Sequence, residues 1–233
     1  IPEMPRLEYI VKGFHRRMAA NGGARPRFPI TPAILRLLKM VWVRESDSFN
    51  ASMLWAAVCL CFFGFLRSRE IVVPSDSAFD EAIHLCVGDI SVDSRIAPSV
   101  LTVLLKASKT DPYRRRVSLV VGSGNGGICP VAAVLSYMVR RGPAPSPLFR
   151  FSDGSFLTRP RFVAAIRSAL VCAGIDAKPY SGHSFLIEAA TTAALCGIQD
   201  SLIKVLGRWQ SLAYQLYIRT PPEVLQGVAR QLL

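Results

Sequence analysis

Apolar positions recur along this chain in two rhythms. Over residues 5–20 (PRLEYIVKGFHRRMAA), Leu7, Ile10, Val11 and Phe14 fall on one helical face. NGGARPRFP then interrupts the pattern with Gly and Pro and reads as a linker. Thr31 and Pro32 pair an N-cap with a proline at the first helical position, which predicts a helix to about Arg44. A second helix, from about Asn50 to Leu66, is apolar nearly all round and is therefore central. From His84 the rhythm shortens: HLCVGDISV, VLTVLLKAS and RRRVSLVV are β-branched runs separated by turn residues. They predict a three-stranded antiparallel sheet whose second turn is SKTDPY, residues 108–113. Beyond GSGNGG, Pro130 opens a helix to about Arg141, GPAPSP forms a rigid loop, and LFRFSDGSFL a small hairpin. Helices are predicted at about 160–173, 183–195, 199–206 and 211–218, with a helical tail. The fold class is mainly α (α+β), a helical core with one small sheet.

A chain of 233 residues, 51% of them hydrophobic, can bury a full core. The longest apolar run, Met53 to Leu66, is short for a membrane span, so no membrane partner is expected. The chain opens at IPEMPRLEYI without a signal-peptide pattern and reads as part of something longer. Six scattered cysteines without CxxC or metal spacing read as reduced core residues of an intracellular protein. Charge changes the picture more. Lys and Arg number 28 against 16 Asp and Glu, a formal +12, and an excess of that size favours a polyanionic partner, nucleic acid first.

Common chemistries find no support. GSGNGG matches GxGxxG, but the strands before it read as antiparallel and no acidic residue follows at a suitable place, so a flexible loop is expected rather than a dinucleotide site. There is no GxSxG, and the only histidines are His15, His84 and His183. Asp76, Asp80 and Glu81 read as a solvated acidic loop.

The basic and aromatic residues behave differently when taken in order. GFLRSRE, a lysine at a hairpin turn (SKTD), GHSFL, LGRW and YQLYIRT together resemble the tyrosine recombinases and integrases, nearest to those of DIRS-like and Crypton-type mobile elements. The resemblance covers about residues 29–233. It implies a catalytic domain over 31–233, a linker at 23–30 and, in residues 1–22, the last helix of a truncated core-binding domain. It further implies a double-stranded DNA partner, no metal or other cofactor, a nuclear site of action and a synaptic tetramer on DNA.

In that family a tyrosine attacks the phosphodiester and forms a 3′-phosphotyrosyl link. Carried over, the nucleophile is Tyr217, with Tyr214 the lesser candidate. Arg67 grips the phosphate with its guanidinium fork, and Glu70 braces Arg67. Lys109 protonates the leaving 5′ oxygen and His183 assists the phenol. Trp209 supplies a further phosphate contact, with Arg208 as the alternative. One member departs: the family has a second arginine three residues after the histidine, where this chain has Leu186. Glu188 also stands where a small residue is usual, bringing negative charge towards the phosphate site. Losing one preorganised donor costs about 10²–10³-fold in rate, so an impaired strand transferase or a DNA-binding remnant is expected.

Overall fold

The computed structural model describes residues 27–44, 48–108, 116–125 and 127–218. The helix expected over 5–20, Lys109 with most of its turn, Arg219 and the tail lie outside them.

Helix α1 (Pro32–Val43) starts where the sequence places it: the Thr31 hydroxyl accepts the Ile34 N–H at 3.3 Å, and Pro32 needs no donor there. Helix α2 (Ser48–Phe63) is buried along almost its whole length and packs against α1, α4 (Pro130–Arg141) and α6 (Ser184–Leu195). Helix α5 (Arg159–Cys172) closes the layer against α1, capped by the Thr158 hydroxyl. Two short helices, α3 (Ser68–Ile71) and α7 (Asp200–Leu206), flank the ends. No described helix is long and apolar enough to cross a membrane.

Strands β1 (Ile90–Val92), β2 (Val100–Leu105) and β3 (Val117–Gly122) form an antiparallel sheet in the order β1-β2-β3. Leu101 faces Val92 on one side and Val121 on the other. Alternation along β2 buries Leu101, Val103 and Leu105 against the helices and turns the intervening residues outward. The first β run is shorter than its sequence suggests, because residues 87–89 close into a 3₁₀ turn before Ile90. The LFRFSDGSFL hairpin reduces to one bridge, Arg150 to Phe156.

Residues 28–30, at the end of the expected linker, are docked: Phe28 N–H donates to Pro179 O, Ile30 N–H donates to Ser184 O, and Ile30 is fully buried. Two further sequence readings change. Residues 212–216, expected within a helix, form a 3₁₀ turn. Cys59 and Cys61 are core residues, whereas Cys172 and Cys196 are exposed; all six are free thiols. The acidic loop is built into the surface: Asp76 accepts the Phe156 N–H and pairs with Arg161 at 2.7 Å.

Candidate active site

Helix α2 stops at Phe63, and Phe65 turns the chain with a left-handed backbone (φ 50°). Arg67, expected at the end of that long helix, therefore becomes the N-cap of α3. There the Arg67 N–H donates to Glu70 Oε2 at 2.8 Å, and Arg67 Nη1 pairs with Glu70 Oε1 at 3.3 Å. A second guanidinium reaches the same carboxylate, since Arg208 Nη2 lies 2.7 Å from Glu70 Oε2. Glu70 is thus a brace for two arginines, and its side chain is only 4% exposed. Burial lowers the pKa of Arg208 and the Glu70 charge offsets it.

Arg208 itself sits at φ 56°; its Nη2 also donates to the Phe65 carbonyl at 3.2 Å and its Nη1 to that of Leu206 at 3.3 Å, while its Nε has no partner among the described residues. Two strained residues from distant segments therefore hold each other, at a cost of about 1–3 kcal/mol each that the surrounding contacts must exceed. Trp209 follows directly. It packs on Tyr217 (ring centroids 5.2 Å) and Tyr214 (6.2 Å), and a β-carbon on Gly207 would collide with its ring. That collision gives LGRW its glycine.

His183 opens α6 as its N-cap. Gly182 before it lies against Ser68, leaving no room for a β-carbon, so the starts of α3 and α6 meet and bring Arg67 near His183. His183 Nδ1 is buried with no hydrogen-bond partner among the described residues. Burial first, then the guanidiniums of Arg27, Arg159, Arg69 and Arg67, push its pKa below the ordinary value. A neutral imidazole with a free nitrogen can accept a phenolic proton.

These elements line one cleft of about 590 Å³, which includes Arg67, Arg69, Glu70, His183, Trp209 and Tyr217. Tyr217 is half-buried, with its carbonyl held by the Thr191 hydroxyl at 3.2 Å. Tyr214 does not line the cleft; its hydroxyl donates to Asp200 at 2.9 Å, which raises its pKa and occupies the group. Arg208 is likewise outside the lining, held as the brace of Glu70. Lys109 lies outside the described residues, but Ala107 and Ser108 just before it border the cleft. Lys106, the nearest described lysine, is committed to Asp89 at 2.7 Å.

Leu186 is 0% exposed and is not part of the cleft wall. It packs with Phe65, Ile203, Trp209 and Tyr214, and Tyr217 rests on the same cluster. Glu188 is also outside the lining. Its carboxylate accepts the Thr192 hydroxyl at 2.9 Å, and burial raises its pKa, so the expected charge against the phosphate site is not placed there. Sequence reading missed Ile83 and His84, which line the cleft from the loop before the sheet. No spacing signal marks them. Among the described residues no group of three His, Cys, Asp or Glu is placed to hold a metal ion.

No protein-family model and no curated protein sequence matches the chain at significance. Solved structures do. XerH site-specific recombinase, in a post-cleavage complex with palindromic difH substrate, superposes with a TM-score of 0.65 at 15% identity, over 89% of this chain and 53% of that one. XerA recombinase gives 0.64 at 17% identity, over 89% and 64%. The fold is that of the tyrosine recombinase catalytic domain. A Tn1549 transposon integrase fragment with circular intermediate DNA gives 0.60 at 12% identity, over 90% and 67%. Within the tyrosine recombinase fold, the present chain spans little more than half the length of XerH.

What the assembled groups can do follows from their chemistry. A guanidinium fork held by a buried carboxylate offers two donors to the non-bridging oxygens of a phosphodiester. A phenol in the same cleft is a nucleophile once its proton is removed, and a neutral imidazole is a suitable acceptor.

Proposed function

We propose that this chain is a DNA-binding, tyrosine recombinase-like domain of mobile-element origin, nearest in motif to DIRS-like and Crypton-type recombinases and acting in the nucleus. Double-stranded DNA is its partner. Its chemistry is strand cleavage by Tyr217, with a 3′-phosphotyrosyl intermediate and a freed 5′-hydroxyl, and no cofactor. Arg67 and Trp209 contact the phosphate, Glu70 and Arg208 hold Arg67 in place, His183 takes the phenolic proton, and Lys109 protonates the leaving oxygen. Four copies assemble on two DNA duplexes during exchange.

The observation that carries this reading is the convergence of Arg67 with His183, Trp209 and Tyr217, the last of them 150 positions further along the sequence, on one cleft of that fold. Strand transfer is impaired because Leu186 supplies no donor to the phosphate. A pool of nicked duplexes of randomised sequence tests both points. Denaturing gels should show Tyr217-dependent covalent adducts at very low yield. Adducts formed at ordinary recombinase rates would refute the impairment, and adducts that survive Tyr217→Phe would refute the nucleophile.

A second reading, a catalytically dead binding module, is favoured by the apolar packing around Leu186, which leaves that side chain with a structural role. It is distinguished by complete absence of adducts together with retained, salt-sensitive DNA binding.

A further inference from the structure

His84, like His15, has no role in the sequence motifs, and the structure turns its Nδ1 towards the backbone of Asp80. The Asp80 N–H donates to His84 Nδ1 at 2.9 Å. The same Nδ1 lies 3.1 Å from Asp80 O, a contact in which it would have to donate; in the tautomer that accepts the shorter Asp80 N–H contact, the proton sits on Nε2. No described residue is bonded to Nε2, and the ring borders the same cleft as Arg67, His183 and Tyr217. In that tautomer the imidazole brings a hydrogen-bond donor to a cavity that also holds the guanidiniums of Arg67 and Arg69.

Its loop is anchored at both ends. Phe79 packs on the imidazole (6.1 Å) and on Phe156 (5.9 Å). Asp76 ties the loop to Phe156 N–H and Arg161, and Lys106 at the end of β2 donates to Glu81 O at 2.7 Å. Leu148 N–H donates to Leu85 O, the residue after the histidine. A surface histidine needs no such framework. A donor that must meet an oxygen within a few tenths of an ångström does.

We propose that His84 is a substrate-binding residue whose Nε2–H donates to a non-bridging phosphate oxygen of the DNA strand held in this cleft, which Ala107 and Ser108 also line. The assignment rests on reading the cleft as a DNA phosphate site. It adds one donor that the sequence motifs do not contain, on the sheet side of the cleft. It does not replace the missing arginine, because an imidazole with a single proton brings no positive charge.

Two variants separate binding from loop structure. In His84→Asn, Oδ1 can keep the Asp80 N–H bond while the Nε2 donor is lost; in His84→Gln, the side-chain amide can still donate at the Nε2 position. Fluorescence anisotropy with a labelled duplex oligonucleotide should show His84→Asn binding about 3–10-fold more weakly, with His84→Gln recovering most of the loss. The slope of log affinity against log salt should not change, because a donor without charge displaces no counterion. Unfolding temperatures of both variants should match the parent. Parental affinity in His84→Asn overturns the proposal. So does a loss shared by His84→Gln or accompanied by a drop in unfolding temperature, since either marks a loop-packing role. A slope lower by about one in His84→Asn overturns the uncharged donor. Absence of salt-dependent binding in the parent protein overturns the DNA reading of the cleft, a result separate from all of these.

Discussion

Glu70 shows how much one buried carboxylate decides. It meets Arg67 and Arg208 together, so neutralising it leaves two guanidiniums facing each other in a buried setting. We expect Glu70→Gln to lower unfolding free energy by about 3 kcal/mol, measured in urea, and to weaken DNA binding through a displaced Arg67. Two titrating groups near the site act in opposite senses. The folded pKa of His183 lies below its ordinary 6.5, so as pH falls the unfolded chain takes up the proton first. Its stabilising contribution is complete above about pH 6.5 and declines below, and the decline should flatten in His183→Gln. Glu188 is shifted upward from 4.5, so the folded state favours its protonated form and loses stability as pH rises through that raised value. Glu188→Gln keeps the Thr192 bond and should raise the denaturation midpoint at neutral pH.

At the scale of elements, the helices and the sheet were readable because their signals are local: a Thr-Pro start, a Pro130 start and the alternation along β2 all lie within a few residues of what they specify. The end of α2 was not readable. FFGFLR continues the apolar run, so periodicity passes straight through the point where Gly64 and Phe65 turn the chain. The 3₁₀ turn at 212–216 escaped for a similar reason, being fixed by remote partners such as Asp200, which holds the Tyr214 hydroxyl. Arg67, His183, Trp209 and Tyr217, which the motifs singled out, line one cleft; the two-arginine brace on Glu70 and the loop bearing His84 were not legible, since both depend on contacts across many residues. Gly182 is the sharpest element-level test. Gly182→Ala would press a methyl group into Ser68 and force α3 and α6 apart. We expect lost DNA binding at the cleft together with a destabilisation of about 1–3 kcal/mol, read by anisotropy and urea unfolding on the same samples.

Over the whole molecule, charge and burial divide the work. The excess of basic residues should make duplex affinity fall steeply with salt, each neutralised phosphate adding about 0.9 to the slope, and Arg69→Ala should reduce that slope by about one. Outside the cleft lining, Arg141 is 3% exposed and spends its donors on the carbonyls of Gly142, Ala144, Ser146, Pro147 and Leu148. Arg141→Ala should destabilise the fold by about 3 kcal/mol, with DNA affinity of the folded fraction unchanged. The long reach of Arg208 to the carbonyl of Phe65, across 143 positions, has a consequence in time. During synthesis the amino-terminal helices and the sheet emerge well before residues 208–217, so a ribosome-bound chain can fold most of its body while the cleft still lacks one side. Glu70 therefore lacks its second guanidinium until residue 208 has left the ribosome, so assembly of the cleft follows folding of the helical body.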